Sequence, residues 1–515
     1  MSSLLNAAVL AGVVCLMTAS MAASSGFTSR DLPTVNTTDL DRYVRIVDPE
    51  FGWVDAHYNF SFAEDYTAHL FNLTSLTYLN SSLTDRSVWT HTMVYVVPTK
   101  LNESCDTAFV WLTWGSNGDV WKGDAENDVD IAVITQVAIG TGCPAVAIYD
   151  IPNQKICFYD DPSNPYCASE DSAIAYTFNR YLYLNKSAEW LLLFPMAKAG
   201  IRSLDAIEEI SAQVFHQPIT KFIVSGASKR GWTTWLVGAT DYKNRILAIV
   251  PVVLDALDFN SFIHRQWKSY NAFTFALQPY ADFGLTAATL LPRFASWSTE
   301  IDPYFYRQRL TMPKLAINAV GDEFQLLDDQ AHWVHDMPGE MKTILIKDAD
   351  HILITNFDLV IKTAVSFCQS VVFGITRPTY TWSIDSLSGQ ITVTTSVAPV
   401  SVSLVQTTIA TRMRDFRDVV LKEDPCIIHV LGGCVRFYLW SSSPASPHGS
   451  GSYTYVTNIT APSAGWTGFY LQLEFANGAA DKNLTNLVFA SPASILPLGY
   501  PFADCVGTGC NATFV

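Results

Sequence analysis

Apolar residues in the middle of this chain come in short unbroken runs separated by stretches of helical period. Met93–Val97, Ala108–Trp114, Ala145–Tyr149, Phe222–Val224, Ile246–Leu254, Leu315–Val320 and Thr343–Ile346 predict buried strands. Asp128–Ala138, Ile174–Tyr183, Trp190–Ile210 and Leu359–Phe373 predict helices. Strands without polar alternation are apolar on both faces. Their alternation with helices therefore predicts a mostly parallel sheet with helices on both faces, over residues 86–377.

Two segments break that pattern. Residues 256–312 lack a strand signal and are crowded with Phe259, Phe262, Trp267, Tyr270, Phe273, Phe275, Tyr280 and Phe283. They predict a helical insertion above the carboxyl edge of the sheet, its rings either lining a pocket or packing the insertion's own core. After Pro378 the period changes to two. Thr379–Ile384, Gly389–Thr395, Ser401–Thr407, Val435–Trp440 and Phe469–Phe475 predict a separate all-β, sandwich-like domain over residues 378–515. Residues 24–85 are aromatic with no clean period and are expected to form an irregular N-terminal cover.

The first residues carry a different signal. Ala7–Met17 is apolar but too short to span a bilayer, and the small residues Ala19-Ser20-Met21-Ala22-Ala23 follow it. Residues 1–23 read as a cleaved signal peptide, although no Lys or Arg precedes the run. No later segment offers 18 uncharged apolar residues in succession, so no membrane span is expected after cleavage. Nine Asn-x-Ser/Thr sequons, at Asn36, Asn59, Asn72, Asn80, Asn102, Asn185, Asn458, Asn483 and Asn511, fit a secreted, extracellular glycoprotein. They leave residues 186–457 clear. The cysteines agree with an oxidising compartment. Of ten, Cys15 leaves with the signal; Cys157–Cys167, Cys426–Cys434 and Cys505–Cys510 pair by short spacing. Cys105 and Cys143 each precede a strand run, so neighbouring parallel strands bring them together and Cys368 is left over. No Cys-x-x-Cys or paired-His spacing occurs, and no metal or cofactor is expected.

At 515 residues, 49% hydrophobic, the chain can bury the cores of two or three domains. Its net charge of −16 argues against a nucleic-acid partner, which needs clustered Lys and Arg.

The chemistry concentrates at Phe222-Ile223-Val224-Ser225-Gly226-Ala227-Ser228-Lys229-Arg230-Gly231-Trp232, where a strand run meets a Gly-x-Ser turn and then a helix-like segment. A serine on a sharp strand-to-helix turn holds its hydroxyl clear of the backbone, beside amides able to bind an oxyanion. Such a nucleophile needs a base and an acid to orient the base. The strand Leu315–Val320 ends in Gly321-Asp322-Glu323-Phe324, and the next strand ends in Asp348-Ala349-Asp350-His351. Ser228, Asp322 and His351 thus follow the order of the α/β-hydrolase fold. Glu323, Asp328 and Asp329 are rival acids. The backbone N–H of Lys229 and an amide from Gly115 or Ser116, after the strand Ala108–Trp114, are expected to form the oxyanion hole. Arg230, with His264 and Trp267 of the insertion, are candidate substrate contacts. Lys229 and Arg230 either meet an acidic substrate group or pair with acids such as Asp241 or Asp255.

Several stretches carry a family resemblance: Glu170-Asp171-Ser172-Ala173, Phe194-Pro195-Met196-Ala197, Ser225–Trp235, Ile249–Asp255, Asp302-Pro303-Tyr304, Gly321-Asp322-Glu323-Phe324, Asp350-His351 and Arg414-Asp415-Phe416-Arg417. In these the chain resembles the PhoPQ-activated pathogenicity-related protein family, whose eukaryotic relatives include secreted autocrine proliferation repressors of amoebae. The resemblance runs over roughly residues 40–500. It implies an α/β-hydrolase domain followed by a β domain, and it places residues at the family's Ser, Asp and His positions. It supplies no substrate. The turn is Gly-x-Ser-x-x-Gly rather than Gly-x-Ser-x-Gly and looks like that of glucuronoyl esterases, which also carry a basic residue after the serine. Two readings follow. One is a secreted serine hydrolase acting on a small-molecule ester or a peptide. The other is a secreted repressor of proliferation that uses the fold as a scaffold for a cell-surface receptor. Arg414-Asp415-Phe416-Arg417 reads as a structural ion-pair turn.

Overall fold

Six of the apolar runs pair side by side as parallel strands, as their two-faced hydrophobicity requires. The computed structural model describes residues 37–61, 63–117, 128–421, 426, 428–430, 433–436, 438–449, 453–478, 484–510 and 513–515; the expected signal peptide lies outside them. The main sheet has nine strands: β1 (Gly52–Phe60), β2 (Tyr66–Thr77), β3 (Val88–Pro98), β4 (Thr107–Leu112), β5 (Ala145–Ile148), β6 (Lys221–Ala227), β7 (Ile246–Val252), β8 (Lys314–Ala319) and β9 (Met341–Ile346). Their order is β1-β2-β3-β5-β4-β6-β7-β8-β9. β1, β2 and β3 run antiparallel to their neighbours, whereas β5, β4, β6, β7, β8 and β9 are mutually parallel.

The helices α1 (Val129–Thr141), α2 (Glu170–Leu184), α3 (Leu193–Gln213), α4 (Lys229–Thr240), α5 (Phe259–Tyr270), α6 (Pro292–Ile301) and α7 (Phe357–Val372) complete the layers. β6 shows why both faces are covered. Phe222 and Val224 join the core shared with α3 and α4, and Ile223 joins the opposite core shared with α1 and α7. This topology is the α/β-hydrolase fold, with additional β-sheets after it. Residues 256–312 form the insertion: α5, α6 and several short helical turns, with no strand among them.

Where an irregular N-terminal cover is expected, residues 52–77 are instead the first two strands of the main sheet. Register shifts between Asp55 and Asn59 in β1 and between Thr74 and Leu76 in β2 interrupt the period-two pattern. Beyond residue 378, the strands Tyr380–Ile384, Ile391–Thr395 and Thr454–Val456 form one sheet. Ser401–Ile409 and Trp466–Phe475 centre a five-stranded second. Val393, Leu471 and Phe489 of these sheets share a core with Leu315, Ile344 and Phe367 of the α/β layers. The strand expected over Val435–Trp440 stops at Val435. The Arg436 amide still donates to the Asp418 carbonyl (2.7 Å), but the Trp440 amide donates to the Asp348 side chain (2.8 Å) rather than to a neighbouring strand.

The disulfides are Cys105–Cys143, Cys157–Cys167, Cys426–Cys434 and Cys505–Cys510, with Cys368 buried and free. Of the sequon asparagines among the described residues, Asn59, Asn72, Asn80, Asn185 and Asn458 are exposed. Among the described residues no helix is long and apolar enough to cross a membrane.

Candidate active site

Parallel pairing places the ends of β4, β6, β8 and β9 along one edge. Leu112 lies opposite Gly226, Ala227 opposite Val252, and Ala319 opposite Ile346. The loops that follow therefore meet over that edge, where α/β sheets hold their ligands. Ser228 sits between β6 and α4 at φ 58° and ψ −126°, a conformation rare for a residue with a side chain. The glycines around it are required by space. A Cβ on Gly226 would lie 2.8 Å from Arg230 O and 2.9 Å from Leu112 O; one on Gly231 would lie 2.7 Å from Val252 O.

The turn aims Ser228 Oγ at His351, whose Nε2 is 2.8 Å away. His351 Nδ1 is 2.8 Å from Asp322 Oδ2. Asp322 is itself fixed, its Oδ1 accepting the Phe324 amide at 2.7 Å, and the Phe324 ring packs on the imidazole with centroids 4.4 Å apart. Neighbouring Glu323 accepts the backbone N–H of His351 at 3.0 Å and so holds the histidine loop rather than its ring. The rival acids are engaged elsewhere: Asp328 by Arg414 (2.6 Å) and Asp329 by Arg265 (2.9 Å). The structure thus joins Ser228, His351 and Asp322 in one chain of hydrogen bonds.

Behind the histidine lies a group of acids. Burial, with Asp322 and Asp350 nearby, pushes Glu323 up to about 7. Burial, with Asp350, Glu323 and Asp348, pushes Asp418 up to about 8. Asp418 comes from the segment that follows the strand Ser401–Ile409 and closes on Gly321; a Cβ there would lie 2.2 Å from its carboxylate oxygen. Burial disfavours the charged form of His351, but the charge and hydrogen bond of Asp322, helped by Glu323 and opposed by Lys229, outweigh it and raise His351 above its ordinary value. The surroundings favour the imidazolium that a general base becomes.

The two cations after the serine are paired, but not with Asp241 or Asp255. Glu170, at the start of α2, accepts Arg230 at 2.6 and 2.7 Å and Lys229 at 2.8 Å; Asp171 also meets Lys229 at 3.1 Å. Asp171 in turn accepts the Tyr280 hydroxyl at 2.8 Å. Asp241 pairs with Arg245 (2.8 Å), and Asp255 is buried with its amide on Gln325. Glu170 and Asp171 stand about 60 residues upstream and reach Lys229 only through the packing of α2, so no local spacing announces them.

Two cavities share Ser228 and His351. One, of about 60 Å³, is roofed by the insertion through Phe259, Phe262, Ile263, Leu277, Tyr280 and Leu285, with Phe324 and Lys229. These rings line a pocket and also join the main core, rather than forming a core of the insertion's own. His264 and Trp267 line neither cavity. Phe259, Phe262 and Ile263 set the pocket face of α5. Rotation carries His264 off that face, whereas Trp267, four residues past Ile263, stays on its side one turn further along and packs against the main core outside the cavity. His264 pairs with Asp504 (2.8 Å), and Trp267 packs on Phe273. The second cavity, of about 240 Å³, lies between α1 and α7. Thr113 and Trp114 line it, just before Gly115, whose carbonyl accepts Gln154 Nε2 at 3.0 Å. A Cβ on Gly115 would strike Asp150 at 2.2 Å. Gly115 and Ser116 line neither cavity.

The sequence profile of the PhoPQ-activated pathogenicity-related protein family matches residues 40–417. A relative from Dictyostelium discoideum, autocrine proliferation repressor protein A, is 31% identical over 484 residues, covering 92% of this chain and 93% of its own. Acetyl xylan esterase 1 from Thermoanaerobacterium is similar in structure with a TM-score of 0.43 at 15% identity, covering 66% of this chain and 97% of its own. Glucuronoyl esterase from Solibacter usitatus gives 0.39 at 11% identity, covering 63% and 87%.

Proposed function

The chain belongs to the PhoPQ-activated pathogenicity-related protein family, and we propose that it is a secreted serine hydrolase that cleaves an ester or peptide bond through an acyl-enzyme. The observation that carries this reading is the chain Ser228 Oγ–His351–Asp322, both links 2.8 Å, on a strained strand-to-helix turn. The Ser228 proton passes to His351 Nε2 as Oγ attacks the carbonyl carbon. His351 then returns that proton to the departing alkoxide or amine, leaving the acyl group on Oγ. Water, deprotonated by the same nitrogen, attacks the acyl-enzyme, and Ser228 regains its proton as the acid leaves. Asp322 holds Nδ1–H and so fixes the orientation of the imidazole. The oxyanion is assigned to the Lys229 amide, in the unpaired first turn of α4, and to the amide of Gly115 or Ser116. Secretion is supported by the four disulfides and by the exposed sequon asparagines.

Labelling of the purified secreted protein with a fluorophosphonate tests this. Wild type is expected to label, and Ser228→Ala and His351→Ala are expected not to. A folded wild type that does not label overturns the reading. A second reading, repression of proliferation through a cell-surface receptor, is favoured by the relative that covers 92% of this chain. It predicts that Ser228→Ala still represses proliferation of the source cells.

The acid group sets the pH dependence. Only neutral His351 accepts the serine proton, so kcat/KM is expected to fall as pH drops through a value above 6.5. Glu323→Gln keeps an oxygen for the His351 amide but removes a negative charge that favours the imidazolium. The acidic limb is then expected to move to lower pH with little change in the plateau. A limb that stays in place or moves to higher pH would show that Glu323 does not act on the histidine.

A further inference from the structure

Taking Ser228 as the nucleophile, we propose that the substrate is an uncharged ester with a medium-length apolar arm, and that this arm lies in the cavity between α1 and α7. Both cavities open on Ser228 and His351, so the scissile carbonyl sits where they meet and its two substituents point one into each. The cavity under the insertion, about 60 Å³, has the space of roughly two water molecules and suits a small group. The one between α1 and α7, about 240 Å³, has the space of roughly eight and suits a chain. Its walls are apolar: Val133 from α1, Val253 after β7, Leu353 from the histidine loop, and Phe357, Val360 and Ala364 from α7.

Charge is excluded by pairing. Among the described residues lining the two cavities the cations besides His351 are Lys229 and Arg230, and Glu170 and Asp171 neutralise both. The carboxylate in the wall of the larger cavity, Asp130, is closed off by the indole N–H groups of Trp111 (2.7 Å) and Trp114 (3.1 Å). An acidic substrate group therefore finds no free cation, and a cationic one finds no free carboxylate. At the mouth, Trp114, Val129 and Ile352 line the same cavity while 61%, 54% and 50% exposed. Single exposed apolar residues are ordinary, but three at the entrance of an apolar cavity form a surface over which a hydrocarbon chain is drawn in.

The test measures kcat/KM on p-nitrophenyl acetate, butyrate and octanoate, on ethyl and octyl acetate, and on p-nitrophenyl hemisuccinate, beside fluorophosphonate labelling. The expected result is a rise of at least ~10-fold with chain length in the acyl series or the alcohol series, and the lowest value for the hemisuccinate. Ala364→Trp, which narrows the cavity, is expected to lower the ratio of long-chain to short-chain activity in the responding series by about 10-fold. Val133→Ala, which widens it, is expected to move the optimum to a longer chain. A protein that labels but prefers the shortest member of both series, or prefers the hemisuccinate, overturns the apolar arm and leaves the hydrolase reading standing. Absence of both labelling and hydrolysis overturns both. If Ala364→Trp does not fold, the wild-type series and Val133→Ala still decide.

Discussion

Asp322→Asn is expected to lower kcat/KM for ester hydrolysis by about 10⁴-fold while leaving the fold intact. Asp322 Oδ2 lies 2.8 Å from His351 Nδ1, and its other oxygen is already committed to the Phe324 amide at 2.7 Å. An amide in that place offers Nδ1 either an N–H, which forces the wrong tautomer, or a neutral oxygen, which no longer stabilises the imidazolium. No neighbour can substitute. Glu323 is held on the His351 backbone (3.0 Å), and Asp328 and Asp329 are held by Arg414 and Arg265. Labelling of Ser228 should slow in parallel, because it needs the same activated hydroxyl. The comparison that decides is Asp322→Asn against Glu323→Gln at high pH. If the two cost the same, the acid has been assigned to the wrong carboxylate.

The order serine, acid, histidine could be read from the chain because a parallel sheet sends every β-to-α loop to one edge. Locating the strand before each residue was enough to bring them together. The same logic paired Cys105 with Cys143. What stayed hidden depends on packing between distant segments. Glu170 and Asp171 neutralise Lys229 and Arg230 only because α2 lies against the serine turn, so Asp241 and Asp255, nearer in sequence, were the natural but wrong partners. Asp418 reaches Gly321 from beyond the first strands of the C-terminal sheets, and nothing near it marks it as part of a site. The strands of residues 52–77 were masked by their own bulges, and β1 is largely solvent-facing, so its burial leaves little hydrophobic trace. His264 and Trp267 failed as site residues for a simpler reason. Aromatic content located the insertion, but the helical phase of α5 turns His264 away from the pocket, and Trp267 shares the Ile263 side yet lies a turn beyond the cavity, against Phe273.

Asp415→Ala is expected to be the most destabilising of these substitutions, by about 3–5 kcal/mol. Asp415 is fully buried and holds Arg417 through two bonds of 2.7 Å and Arg436 through one of 2.8 Å. Arg417, 1% exposed, also donates to the Val515 carbonyl (2.7 Å) and stacks over Tyr270. Removing the carboxylate leaves a guanidinium buried without its counter-charge, which costs far more than the net worth of the pair. Burial alone would favour the protonated acid, but Arg417 and Arg436 outweigh it and hold Asp415 down at about 2. An unfolded aspartate titrates near ~3.9, so this group's contribution is complete above about pH 4 and is lost as pH falls through about 2. Over that window it amounts to roughly 2–3 kcal/mol. Urea unfolding at pH 7 should therefore show a much lower midpoint for Asp415→Ala. The gap from wild type should narrow below pH 4, where wild type loses the same charge by protonation. A gap that stays constant from pH 7 to pH 2 would mean that packing, rather than the ion pairs, stabilises this turn.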